Sequence, residues 1–189
     1  MFDALKAIAV SGGCRLLSRS PLRRFIRQQD GASAVEFALV ALPFIALIFA
    51  ILETAFVFFA GQTLEAVAAN ASRLILTGQA QTQGMSASAF KTRVCAQLLA
   101  LVDCANGVYV DVKTYTTFAS ADMTSPIQNG NFDTSKLTYA PGGPGDIVVM
   151  KLYYQWPIYA TAWLPGISNL NGNQRLLVAT ATFRNEPYK

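Results

Sequence analysis

The chain has 189 residues, 52% of them apolar and only 14% charged, with a formal net charge of +4. Soluble domains carry about 25% charged residues, so this balance argues for a membrane segment joined to one medium-sized domain. Histidine is absent, which removes the commonest general base and the commonest zinc ligand and weakens the case for an enzyme.

The positive charge is one block. Residues 1–30 hold Lys6, Arg15, Arg19, Arg23, Arg24 and Arg27 against Asp3 and Asp30, and the remainder of the chain is balanced. A basic nucleic-acid surface would be distributed over a folded domain. Here the block lies directly before an apolar run, so it orients that run with its N-terminal side in the cytoplasm and the rest exported. No cleavable signal sequence precedes it, because Ala7–Val10 is too short for a hydrophobic region.

Residues 32–60 form the apolar run, with an uncharged core from Phe37 to Leu52 between Glu36 and Glu53. A membrane helix needs about 20 apolar residues. The run qualifies if Glu53 sits at the outer interface or faces a partner. At 1.5 Å per residue the two acids are about 26 Å apart along a helix, one near each membrane face. Pro43 removes one backbone hydrogen bond and reads either as a kink that membrane helices tolerate or as a deliberate weak point in the helix.

Phe56, Leu64, Val67, Ala68, Ala71, Leu74 and Ile75 continue at helical spacing, which predicts one helix over about 32–76, with a membrane anchor joined to a separate helix at Gly61 as the alternative. Gly78–Ala87 is polar and reads as a loop. Ser88–Val102 reads as a short amphipathic helix capped by Ser86 or Ser88. Val108, Val110 and Val112 alternate with polar or amphipathic residues, and Ile147–Trp156 and Leu176–Phe183 also have strand character. Ser120–Gly145 is a long irregular stretch, and Ile158–Leu164 is a connection between prolines with Tyr159 and Trp163 as exposed aromatic candidates. The expected class is α+β: a long N-terminal transmembrane helix, then a small exported domain with a short helix and a three- to four-stranded antiparallel sheet.

Three cysteines divide by topology. Cys14 falls in the cytoplasmic block, whereas Cys95 and Cys104 fall in the exported part, where an oxidising compartment allows a bridge. A loop this short would contribute roughly 2–3 kcal/mol in the chain-entropy picture. Two reduced, buried cysteines are the alternative.

A basic leader ending in Gly31, followed by Ala32-Ser33-Ala34-Val35-Glu36-Phe37 and an apolar helix, resembles the precursors of type IV pilin-like proteins. In detail it is most similar to the TadE-like minor pilins, or pseudopilins, of tight-adherence pilus systems. The small-residue stretch Ala66–Arg73, the Gly145-Asp146-Ile147-Val148 strand entry, Tyr154-Gln155-Trp156-Pro157 and the terminal Arg184-Asn185-Glu186-Pro187 extend the resemblance over nearly the whole chain. It implies a pilin-like fold and cleavage between Gly31 and Ala32 by a prepilin peptidase. Glu36 would become the fifth mature residue, followed by the aromatic Phe37, and would set register in assembly. The implied partners are the peptidase, an inner-membrane assembly platform, the major and other minor pilins, and the lipid bilayer, with no nucleic acid and no cofactor.

Physical chemistry fits that scheme. A carboxylate in low dielectric is costly without a partner, and a neighbouring subunit's N-terminus would supply one. An interfacial acid favoured by the helix dipole is the competing account of Glu36. No nucleophile–base pair, metal cluster or phosphate loop stands out, and Gly142-Gly143-Pro144-Gly145 reads as a turn. Arg184 and Glu186 are candidates for an ion pair, a neighbour contact or simply a solvated tail. The reading is therefore a non-enzymatic structural subunit, with a leader over 1–31, a transmembrane helix over 32–60, a helical extension over 61–77 and a periplasmic domain over 78–189. An uncleaved, single-pass envelope scaffold or binding protein is the alternative.

Overall fold

The structure is a computed structural model that describes residues 31–98, 102–122, 124–161 and 166–188. The basic block with Cys14, and likewise Trp163 and Pro165, lie outside the described residues. The chain is α+β and divides into two units, Met1–Phe44 and Ile45–Lys189.

Helix α1, Ala32–Leu76, is 45 residues long and runs unbroken through Pro43. In the first unit its large apolar side chains, from Val35 and Phe37 to Leu42 and Phe44, are exposed. The same holds in the second unit from Ile45 to Leu52. A soluble core helix would bury such residues. This one is long and apolar enough to cross a membrane, and its most apolar window contributes nothing to a core.

Within the second unit, α1 changes character after Glu53. Ala60, Leu64, Val67, Ala68, Ala71 and Ile75 are buried, one stripe at helical spacing. That stripe covers a three-stranded antiparallel sheet. Its strands are β1 (Val108–Tyr115), β4 (Ile147–Pro157) and β5 (Gln174–Arg184), with β4 central. Register is set by pairs such as Val112 with Met150 and Met150 with Ala181.

The central strand is buried on both faces. Val148, Met150, Leu152 and Tyr154 join the helical stripe in one core, while Tyr153 packs with Leu170 and Leu176 in a second. The period of two thus divides one strand between two cores. The second core is covered by the stretch Ser120–Gly145, which contains a small hairpin of β2 (Ile127–Gln128) and β3 (Asn131–Phe132). Phe132 packs against Tyr109 and Tyr153 with ring centroids 5.1 and 5.2 Å apart. The irregular stretch is therefore a third layer on the sheet. Alternation in β1 is broken for the same reason, since Asp111 is buried beside Val112.

Two helical boundaries differ from the sequence reading. The polar stretch after Gly78 is not all loop: α2, Gln79–Thr82, is a single turn whose Ala80 is buried. The helix expected over Ser88–Val102 is α3, Ala87–Cys95, capped by Ser86, whose hydroxyl accepts the Ala89 N–H. It ends at Cys95, which is joined by a disulfide to Cys104, the first residue of a separate turn, α4 (Cys104–Gly107), with Cα atoms 5.6 Å apart. Phe90 and Val94 seat α3 in the helical core.

The C-terminal residues close the fold rather than trailing into solvent. No Arg184–Glu186 ion pair forms; among the described residues the ion pair joins Lys113 to Asp111 at 3.0 Å. Arg184 Nε donates to the Gly145 carbonyl, and Asn185, 3% exposed, donates its amide to the carbonyls of Pro141 and Gly143. Gly145 N–H donates to Asn185, and Asn185 N–H donates to Asp146. The Gly145-Asp146 strand entry and the Arg184-Asn185-Glu186 ending are thus one hydrogen-bonded corner. Glu186 N–H caps the Leu76 carbonyl, satisfying an otherwise orphaned acceptor at the end of α1.

Candidate functional site: two acids on the N-terminal helix

Helix α1 begins at Ala32, immediately after exposed Gly31. One turn on, Glu36 is exposed and Phe37 is 74% exposed. Neither side chain is used by the fold among the described residues. The N-terminal backbone N–H groups of a helix are unpaired, and their partial positive charge favours an acid in this first stretch. Glu36 and Phe37 thus stand exposed in the first turns of the helix that starts at Ala32, directly after Gly31.

Glu53 is different. It lies where the exposed apolar run gives way to the buried stripe, and it is only 9% exposed. The N–H groups of Tyr159 and Ala160 donate to its Oε1 at 2.5 and 3.0 Å. The N–H and hydroxyl of Thr161 donate to its Oε2 at 2.6 and 2.5 Å. Four donors from three successive residues wrap one carboxylate, with Ile158 and Thr161 buried on either side. Charge-assisted bonds of this kind are short and about twice as strong as neutral ones. The partner required of Glu53 is thus the chain's own loop after β4. Sequence patterning identified the acid but not the loop, because three of the four donors are backbone groups with no residue-type signature, and all lie more than 100 residues away.

Next to Glu53, a cleft of about 430 Å³ lies between α1 and β5. Val57, Phe58, Gly61, Leu177 and Val178 form its apolar walls, and Glu65 and Arg175 its polar edge. Arg175 is committed to the Ile167 carbonyl at 2.9 Å.

The aromatic residues of β4 resolve into separate roles. Tyr153 and Tyr154 are core, and Tyr154 Oη accepts the Asp103 N–H at 3.3 Å. Tyr159 is 79% exposed. Burial, reinforced by the charges of Asp111 and Asp122, pushes the Tyr153 phenol up to about 12. On the outer face of the sheet, Asp111, Asp122 and Asp133 lie near Lys113, Lys136 and Lys151 around a small polar cavity. These charges are engaged locally. Asp111 accepts the Thr138 N–H, Asp133 accepts from Ser135, and Lys151 donates to the Asp122 carbonyl. The Ser135 hydroxyl and N–H hold the Asp133 carboxyl below the usual range. The Gly142–Gly145 stretch is a turn in which Gly143 N–H donates to the Asp146 carboxylate at 2.7 Å.

A protein-family model described as TadE-like protein matches residues 31–73. Over this stretch the N-terminal helix is similar to that of TadE-like proteins. The match begins at Gly31, ends near the end of α1 and includes Glu36, Phe37 and the Ala66–Arg73 stretch. It includes none of the sheet, so the resemblance of the strand entry and the C-terminal ending stands outside the matched region. No curated protein and no solved structure matches the chain. The matched family is one of the tight-adherence pilus system, and the apolar helix fits a single-pass membrane protein.

Proposed function

We propose that this TadE-like chain is a minor pilin, a structural subunit of a tight-adherence pilus, made as an inner-membrane precursor. Residues 1–31 form the cytoplasmic leader and the domain beyond the helix is periplasmic. A prepilin peptidase cuts between Gly31 and Ala32, and the assembly platform then draws the mature chain into a fibre of major and minor pilins.

The observation that carries this reading is the start of α1. Cleavage after Gly31 would leave a mature chain that is helical from its first residue, with Glu36 at the fifth position and exposed. Leaving the bilayer would remove lipid from the apolar side chains, so neighbouring helices must replace it. Glu36 then finds a charged partner in a neighbour's new α-amino group, which lets only certain registers pack without a stranded charge. Nothing in this role requires chemistry by the subunit itself.

The test is intact mass and N-terminal sequence of the membrane-extracted protein from cells with and without the peptidase. A chain starting at Ala32 only when the peptidase is present is the expected result. A chain that retains residues 1–31 in both strains overturns the reading in favour of a permanently anchored envelope scaffold.

A further inference from the structure

Helix α1 is longer than a bilayer is thick, so its outer boundary must be located. Counting from the first residue after Glu36, Phe37 to Phe56 spans 20 residues, which is about 30 Å and matches the hydrocarbon core. On that count Glu53 lies about 5 Å inside the outer boundary, one helical turn below Phe56. An acid at this depth needs donors brought to it, and the structure brings them. Tyr159, Ala160 and Thr161 direct backbone N–H groups at the Glu53 carboxylate, and Thr161 adds its hydroxyl. A loop bonded to Glu53 must share its depth.

We infer that the Ile158–Thr161 loop is a membrane-contact element that rests in the phospholipid headgroup region, with the Tyr159 ring as its anchor. Ile158 and Thr161 are 4% and 1% exposed and hold the loop to the domain, while Tyr159 between them is 79% exposed. An exposed ring with a polar tip suits the bilayer boundary, where tyrosine accumulates. Phe56, Phe58 and Phe59 are exposed on the adjoining turns of α1. In water these three rings and the Tyr159 ring would all be left to solvent. At the outer leaflet they are covered. The periplasmic domain is then seated on the bilayer through two connected elements, not held away from it by a bare stalk. This inference rests on α1 spanning a membrane and not on cleavage or fibre assembly.

The test uses the full chain in phosphatidylethanolamine–phosphatidylglycerol vesicles, in a Cys14→Ser background that leaves the disulfide intact. Spin labels are placed singly through Tyr159→Cys, Phe44→Cys and Phe118→Cys, all at exposed positions. Collision with lipid-soluble oxygen is compared with collision with a water-soluble nickel chelate. Phe44 reports the hydrocarbon, and Phe118, 58% exposed, reports the periplasmic domain. The expected result is an oxygen-to-nickel ratio at 159 several-fold above that at 118 and below that at 44. A ratio at 159 equal to that at 118 places the loop in water and overturns the inference. Shielding from both reagents at 159 means a protein partner covers it and also overturns the inference. An aqueous label at 44 removes the membrane span itself. A dansylated-lipid measurement of energy transfer from the native tryptophans, lowered in Tyr159→Ser if the domain lifts away, provides the second readout.

Discussion

Glu36 and Glu53 stand on one helix, at opposite ends of one apolar run, and their surroundings differ in kind. Glu53 has each carboxylate oxygen occupied by donors from its own chain. Glu36 is exposed on a segment whose neighbouring side chains are also exposed. An acid satisfied within the fold contributes to that fold, and removing it strands the donors that served it. An acid that the fold leaves alone is available to another molecule. Composition and position make the two look equivalent; only the long-range contact separates them.

The largest effect expected is from Glu53→Ala. It leaves three loop N–H groups and a buried hydroxyl without their acceptor, a loss of about 3–5 kcal/mol for breaking a buried charged network. Chemical denaturation of the detergent-solubilised chain, followed by tryptophan fluorescence, measures it. Glu36→Ala in the same assay shifts stability by less than about 0.5 kcal/mol, as expected for an exposed site. Equal losses for the two variants would erase the distinction.

Next in size is the disulfide. Cys95→Ser with Cys104→Ser is expected to lower stability by roughly 2–3 kcal/mol by releasing a short loop in the unfolded chain, without changing the Glu53 contact, which lies elsewhere in the second unit. The third concerns the far end of α1. Gly78 has φ of +75°, and an added Cβ would run into the Tyr188 ring. Gly78→Ala is therefore expected to cost about 1–3 kcal/mol through strain and displacement of the tail, measured as a shift in the unfolding midpoint. A cost for both Gly78→Ala and Glu53→Ala, and none for Glu36→Ala, would sharpen the division between the part of the helix that serves the domain and the part that does not.

The smallest effect is a pH dependence confined to the domain. Tyr153 has its folded pKa raised to about 12 from an ordinary 10. The folded state keeps its proton longer than the unfolded state does. Its contribution is fully present below pH 10 and is lost as pH rises through about 12. Tyr153→Phe should flatten that alkaline slope in denaturation midpoints taken between these limits, and the Glu53 contact should not respond.

Much of this architecture is written into local pattern. Sixteen uncharged residues from Phe37 to Leu52 admit few solvents but lipid. The β-branched and aromatic runs mark β1, β4 and β5 because strands that pack one face on a core, and in β4 both faces, select such residues. The stretch Ser120–Gly145 carries no such pattern. Its cover over the second core is made by isolated residues, Ile127, Phe132 and Leu137, too sparse to show a period. Arg184 and Glu186, two residues apart, suggest an ion pair by proximity, yet the Arg184 guanidinium donates to the Gly145 carbonyl and Glu186 contributes its backbone N–H to the end of α1. The Glu53 clamp was hidden for a related reason: three of its four donors are backbone groups, which have no letter in a sequence.

The most direct test of the account compares Glu36→Ala and wild-type protein in one host, reading the amount of folded subunit in membranes and the amount recovered with sheared surface fibres. The account predicts wild-type levels of folded, membrane-held Glu36→Ala and loss of that subunit from the fibre fraction. Fibre-associated Glu36→Ala at the wild-type ratio would contradict it, because the exposed acid would then have no part in assembly.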